Sequence, residues 1–226
     1  GRKVDIAINH DPDAIAMHKA NHPYTTHYQE SVWDIDPIKV CGGKEVDVAW
    51  FSPDCKHFSK AKGSKPVDKH IRGLAWIALR WAGTVRPKVI FLENVANLLE
   101  HDDGKSFLTV YNALAPQGYS FRYQLMDSIE YGNVPQHRTR IFIVAFQDEE
   151  ACERFKFPDK QKLTVKLNDI LVRSEKHDSC YYYTDSSFYY DDLKRIIRDK
   201  KALYKIYDSG VSPKAHYICP TLTANM

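Results

Sequence analysis

The sequence predicts an α/β fold: an open sheet built from βα units, followed by a second, smaller domain. Three observations carry this expectation. Short apolar runs of strand length, at residues 4–9, 46–51 and 88–92, alternate with stretches whose apolar residues recur at helical spacing. Each run stops at polar residues able to do chemistry, which is where open α/β sheets keep their sites. After residue 146 the βα pattern ends and a region mixing lysine, aspartate and serine takes over. A chain of 226 residues holds one α/β domain with a sizeable core plus a small appendage. We divide it into residues 1–150, a second domain over 151–215, and a return segment over 216–226.

The elements follow in order. Residues 4–9 (VDIAIN) have the β-branched and aliphatic composition of a strand. Asp11 and Pro12 then supply an N-cap and a first turn for a helix over 13–20, ended by Asn21, His22 and Pro23. A weaker strand is expected at 25–28, followed by a polar stretch to Asp36 and a turn at Gly42 and Gly43. Residues 46–51 form the next strand, halted by Ser52, Pro53 and Asp54. Residues 56–70 are basic, contain Gly63 and Pro66 and lack periodicity, which predicts a long mobile loop of the kind that is usually functional. Leu74, Ile77, Ala78 and Trp81 place a helix over 73–84. Residues 88–92 (KVIFL) read as a strand buried on both faces, delivering Glu93 and Asn94 to its C-terminal end. Phe107, Leu108, Tyr111 and Leu114 line a further helix, ended by Pro116 and Gly118. Residues 121–126 and 140–146 are the last two strands, with a turn at 131–135 between them. Period-two alternation from Gln136 would put Gln136, Arg138 and Arg140 on one face. Further on, residues 181–190 read as a packed strand pair and 193–207 as an amphipathic segment.

Composition narrows the function class. No apolar run reaches the length of a membrane span, and no secretory leader is visible, so a soluble, cytoplasmic protein is expected. Five scattered cysteines without paired spacing fit neither a disulfide framework nor a zinc site, and no metal is expected. The net charge of +3 does not by itself require a nucleic-acid partner, but basic residues cluster after Cys55 and again over 194–205.

The strand over 46–51 delivers one cysteine, Cys55, to the point where the strand ends and a basic loop begins. A thiol there is either a nucleophile, if Lys56, His57, Lys60 and Lys62 favour its thiolate, or a buried cysteine at a strand end. Glu93 and the arginines Arg138 and Arg140 are either parts of one site or a structural ion pair.

Three stretches decide how these residues are read together. SPDCKHFS around Cys55, FLENVANL around Glu93, and QHRTR over Gln136 to Arg140 resemble, in order and spacing, the signature blocks of the DNA (cytosine-5)-methyltransferase family. The resemblance covers most of residues 4–146 and resumes at 219–226 (CPTLTANM). It implies a Rossmann-like S-adenosylmethionine-dependent methyltransferase sheet with a target-recognition domain over 151–215. It implies methyl transfer to C5 of a cytosine flipped out of a specific double-stranded DNA sequence, as in bacterial restriction-modification or in phage. Cys55 would be the nucleophile that adds to C6, and Glu93 would bind or protonate N3 and the exocyclic amine. Arg140 would bind the cytosine O2, and Arg138 would help hold the base, the catalytic loop or Glu93. Asn94 would be structural, fixing the Cys55 strand end against its neighbour. Ser59, Lys60 and Lys62, on a loop that closes over DNA, and Gln136 are the DNA-contact candidates.

The cofactor the resemblance implies is S-adenosylmethionine. Its contacts map onto Asn9 and His10 for the ribose and adenine, Ser31 and Val32 for the adenine edge, and Pro53 and Leu74. Asn9 stands where the family has an acid, and Ser31 where it usually has aspartate. Asp54 and Lys56 replace the usual proline and glutamine flanking the cysteine, with opposed effects on the thiol. The chain begins at the family's second strand and stops before its final blocks. The cofactor site is therefore expected to be completed by the terminal segments or by a second chain, and the complete protein to be a monomer. The alternatives are a non-catalytic DNA-binding remnant or regulator of the same fold, and a cytosine-5 methyltransferase acting on RNA.

Overall fold

The computed structural model describes residues 3–53, 72–100 and 103–170. The chain divides into two compact units, the first from Gly1–Gln124 and Ile141–Lys156, the second from Leu125–Arg140 and Phe157–Met226. The first unit opens with strand β1 (Ile6–Ile8), helix α1 (Pro12–Asn21) and strand β2 (Thr26–Tyr28). β1 and β2 pair in parallel, Ile6 with Thr26 and Ile8 with Tyr28. α1 starts where Pro12 fits the first turn and an Asp11 carboxylate oxygen accepts the Ala14 amide at 2.9 Å. Its apolar residues do not gather on one face, and among its residues only Ile15 is buried. A hydrogen bond between His18 Nδ1 and His27 Nε2, at 2.8 Å, joins it to β2.

The short helix α2 (Pro37–Cys41) follows, capped by Asp36, whose carboxylate accepts the Ile38 amide at 2.9 Å, and closed by Gly42 at φ 60°. The polar stretch to Asp36 and the turn at Gly42 and Gly43 expected here leave this helix unassigned, because five helical residues are too few to show a 3.6-residue period. Strand β3 (Val48–Phe51) and strand β4 (Val89–Val95) are parallel, from Val48 opposite Val89 to Phe51 opposite Leu92. Helices α3 (Arg72–Thr84) and α4 (Lys105–Leu114) and strands β5 (Ser120–Asp127) and β6 (Thr139–Phe146) complete a four-stranded sheet of order β3-β4-β6-β5. The Gln147 amide donates to the Lys88 carbonyl at 3.0 Å, which sets the end of β6 beside the start of β4, so these two strands run in opposite directions. The sheet is therefore mixed.

One face of the sheet forms the core. Ile90 and Leu92 of β4 and Ile141, Ile143 and Ala145 of β6 pack with Ala78 and Ala82 of α3 and Val110 and Leu114 of α4. Each fully buried aliphatic side chain of this kind contributes about 2 kcal/mol. A second cluster, Ile35, Cys41, Ile77 and Trp81, gathers Ile6 and Ile8 of β1, Tyr28 of β2 and Phe51 of β3 around α3. It ties the two-stranded pair to the larger sheet. On the other face Trp50 stacks on Phe91 at 5.2 Å between ring centres while remaining 57% exposed.

Residues 125–127, helix α5 (Ser128–Tyr131), residues 132–140, an irregular stretch from 157 to 166 and helix α7 (Leu167–Ile170) are the described parts of the second unit. Helix α6 (Glu149–Arg154), capped by Asp148, belongs to the first.

Candidate active site

Within each parallel pair the strands bring their C-terminal ends to one edge; Asn9 and His10 follow β1, Ser31 and Val32 follow β2, and Pro53 follows β3. At the end of β1, Asn9 donates its amide to the Tyr28 carbonyl at 3.1 Å and accepts the Asp11 amide on Oδ1 at 2.9 Å. Its side chain thus shapes the turn that opens α1, and both Asn9 and His10 are exposed. Beyond β2, Ser31 Oγ accepts the Trp33 amide at 3.3 Å, and the Ser31 carbonyl accepts the Asp34 amide at 3.0 Å. Arg80 of α3 donates to the Trp33 carbonyl at 2.7 Å and so anchors this turn. Val32 packs against the cluster around Trp81.

The edge of β3 and β4 is pinned by one side chain. Asn94 is 4% exposed; its Nδ2 donates to the Pro53 carbonyl at 3.3 Å, and its Oδ1 accepts the Val95 amide at 2.9 Å. The bond lies beyond the last paired residues, Phe51 and Leu92, and holds Pro53, two residues before Cys55, beside Asn94. Sequence reading ends this strand at Leu92, whereas β4 runs through Glu93 and Asn94 to Val95. Alternation along β4 then puts Asn94 with the buried Ile90 and Leu92, and Glu93 on the opposite face with Phe91. Leu74 lies on α3. Cys55, Ser59, Lys60 and Lys62 lie outside the described residues, as does the loop expected over 56–70.

In the second unit, β6 begins only at Thr139, so strand alternation does not extend back to Gln136 and Arg138. These residues are placed instead by hydrogen bonds to the end of β5 and the start of α5. The Ser128 hydroxyl donates to the Gln136 carbonyl, and the Ser128 amide donates to the Arg138 carbonyl at 3.3 Å. Asp127 accepts the Thr139 hydroxyl at 2.7 Å and the Ile129 amide at 3.0 Å, and contacts His137 Nδ1 at 3.4 Å. Burial alone would raise the Asp127 carboxyl; the Ile129 amide, the Thr139 hydroxyl and His137 outweigh it and hold the group below its usual value. Arg138 is exposed, and Arg140, half-buried, donates to the Thr139 carbonyl at 2.9 Å. Asp127 and Ser128 were not among the expected site residues. Their available signal is Asp127 followed three residues later by Glu130, the spacing of a capping box.

Among the described residues no group of three or more His, Cys, Asp or Glu side chains could hold a metal ion, and no helix is long and apolar enough to cross a membrane.

A sequence profile of the C-5 cytosine-specific DNA methylases matches residues 2–221. The chain belongs to this family. Among curated members, the type II methyltransferase M.Bsp6I of Bacillus sp. (strain RFL6) is 38% identical over 195 residues, covering 85% of this chain and 62% of that protein. M.HhaI of Haemophilus parahaemolyticus is 30% identical over 118 residues, covering 52% of this chain and 36% of its own length. The chain thus spans less than two thirds of the length of these relatives. Among solved structures, the S. pombe Dnmt2 methyltransferase superposes with a TM-score of 0.58 at 16% identity, covering 91% of this chain and 60% of that one. The Entamoeba histolytica methyltransferase EhMeth gives 0.58 at 19% identity, covering 76% and 52%. At these identities the likeness is one of fold: the Rossmann-like sheet of the C-5 methylases.

Proposed function

We propose that the protein transfers a methyl group from S-adenosylmethionine to C5 of a cytosine turned out of a specific double-stranded DNA sequence. Among structural observations, the one that most supports this reading is the Asn94 bond to Pro53, which holds the strand end preceding Cys55 against the strand that carries Glu93. A nucleophile and a proton donor brought to one base are what this chemistry needs.

Cytosine C5 is too weakly nucleophilic to take a methyl group unaided. The Cys55 thiolate forms a bond to C6 and pushes the C5–C6 electron pair into the ring. Glu93 hydrogen-bonds or protonates N3 and the exocyclic amine, relieving the negative charge that addition creates. Arg140 holds the O2 oxygen, and Arg138 steadies the base or Glu93 through charge-assisted hydrogen bonds. Bound S-adenosylmethionine would supply an electrophilic methyl carbon to C5, its sulfur leaving as the neutral thioether. Transfer of the C5 proton to a water molecule then lets the C6–S bond break and returns the thiolate. The target must first leave the base stack, at a cost of a few kcal/mol. Ser59, Lys60, Lys62 and Gln136 hold the DNA, and residues 151–215 read the sequence from the major groove.

The residues at the β1–β2 edge fit the methyl donor. The Asn9 Oδ1 that accepts the Asp11 amide has a second lone pair, and Nδ2 is a donor, so the carboxamide can meet a ribose diol while shaping its turn. His10 offers an exposed ring to adenine, and Ser31, Val32, Pro53 and Leu74 complete the contacts. In the cell the full-length protein is proposed to work as a cytoplasmic monomer, in restriction-modification or phage DNA modification.

The test incubates the full-length protein with S-adenosylmethionine carrying a labelled methyl group and with cytosine-containing duplexes. Label at C5 of one cytosine in a specific sequence is the expected result. Transfer to RNA but not duplex DNA would reassign the substrate, and no transfer to either would leave a non-catalytic DNA-binding protein.

A further inference from the structure

Asn133 stands at φ 50°, a left-handed conformation that only glycine, asparagine and aspartate adopt readily. Its side chain reaches across to residues 164 and 165. Oδ1 accepts the Thr164 amide at 2.7 Å and the Val165 amide at 3.3 Å, while Nδ2 donates to the Thr164 hydroxyl at 2.8 Å. Residues 157–166 have no regular structure, so these bonds replace the ladder or helix that would otherwise satisfy their backbone. Two further contacts run alongside. The Gln161 amide donates to the Glu130 carbonyl at 2.7 Å, and Lys160 pairs with Glu130 at 2.8 Å.

The same few residues of α5 and its turn are bonded on another side to the segment carrying Gln136 and Arg138. The amides of Gly132 and Val134 donate to the Ser128 carbonyl at 2.9 and 3.3 Å, and the Gln136 amide donates to the Val134 carbonyl at 2.7 Å. Ser128 in turn binds the carbonyls of Gln136 and Arg138. Pro135, buried, stiffens the middle of the turn. The turn is thus a bracket with two clamps, one on residues 136–139 and one on residues 160–165.

We propose that Asn133 is a positioning residue that sets Gln136, Arg138 and Arg140 in register with the segment leading into residues 167 onward, so that target recognition and base holding move as one piece. This rests on the function proposed above. A plain turn residue would not need three hydrogen bonds to a segment some thirty residues away.

The experiment is amide hydrogen exchange on the full-length protein and on Asn133→Gly, which keeps the left-handed backbone without strain but removes the side-chain bonds. Exchange is expected to quicken about tenfold or more both at residues 160–165 and at the Ser128 and Gln136 amides, while β3 and β4 are unchanged. Asn133→Asp, which keeps the oxygen acceptor, should restore most of the protection. In methyl-transfer assays Asn133→Gly should lower kcat and the preference for the specific duplex over one with a changed base pair, with KM for S-adenosylmethionine unaltered. Deprotection confined to residues 160–165, or kcat and preference both unchanged, would overturn the inference. Failure of the unsubstituted protein to transfer methyl would instead sink the proposed function, and the exchange result would still decide the linkage.

Discussion

At the scale of single residues, the account turns on which side chains touch a reacting atom and which hold those that do. Cys55 is proposed to bond to the base, so Cys55→Ser should abolish methyl transfer while leaving DNA binding within about a few-fold, because an alcohol at neutral pH is a far weaker nucleophile than a thiolate. Radiolabel transfer and a binding titration on the same preparation check it. Asp127 belongs to the second kind. Its carboxyl is held below its usual value, so the stability it contributes is present above the ordinary carboxylate pKa and is lost as pH falls through the folded value. Asp127→Asn should therefore cost about 1 kcal/mol at neutral pH and progressively less in acid, read as converging urea midpoints of the two proteins. Asn94 is buried with both ends of its amide bonded, and Asn94→Ala leaves the Pro53 carbonyl and Val95 amide to find other partners. We expect a loss of about 2 kcal/mol, and a larger fall in kcat than in cofactor binding, since the strand end before Cys55 is what loosens.

At the scale of elements, the sequence makes the strands and longer helices legible because they bury apolar residues at a regular period. β3, β4, α3 and α4 read out in this way, with Ala78, Ala82, Val110 and Leu114 meeting Ile90 and Leu92 in one core. Leu114→Ala, at a position with no exposure, should cost about 3 kcal/mol, measured by chemical denaturation. What escapes the sequence is structure made by polar residues. β4 continues through Glu93 and Asn94 to Val95, past two polar residues at which an apolar pattern stops. β6 starts three residues later than alternation from Gln136 implies, because Ser128 and Asp127 hold residues 136–139 from outside any strand. The role of Asn94 is legible from its place in the signature block, whereas the bracket around Asn133 joins residues thirty apart and leaves no local pattern.

α1 shows the same limit. With Ile15 its one buried residue, the helix is joined to β2 by the His18–His27 hydrogen bond. Burial, then the neighbouring His22 and His27 rings, hold His18 below its usual pKa. A depressed histidine stabilises the fold above its unfolded pKa and loses that contribution as pH falls through the folded value. The unsubstituted protein should therefore lose more stability than His18→Gln between about pH 7 and about pH 5, as followed by thermal melts.

At the scale of the whole molecule, the described residues supply a mixed four-stranded sheet and a separate parallel pair; Asn9 and Ser31 follow the strands of the pair, and Pro53 and Asn94 meet at the ends of β3 and β4. The family profile covers residues 2–221, while the chain spans less than two thirds of its curated relatives. A covalent bond from Cys55 to C6 of the target cytosine is open to chemical trapping. A duplex carrying 5-fluorocytosine at the target position blocks release, because fluorine cannot leave C5 as a proton does. Incubated with the full-length protein and S-adenosylmethionine, it should yield a complex that survives denaturation, with the DNA attached to the proteolytic peptide containing Cys55 and none formed by Cys55→Ser. An attachment at any other residue, or methyl transfer to unmodified cytosine by Cys55→Ser at the rate of the unsubstituted protein, would contradict it.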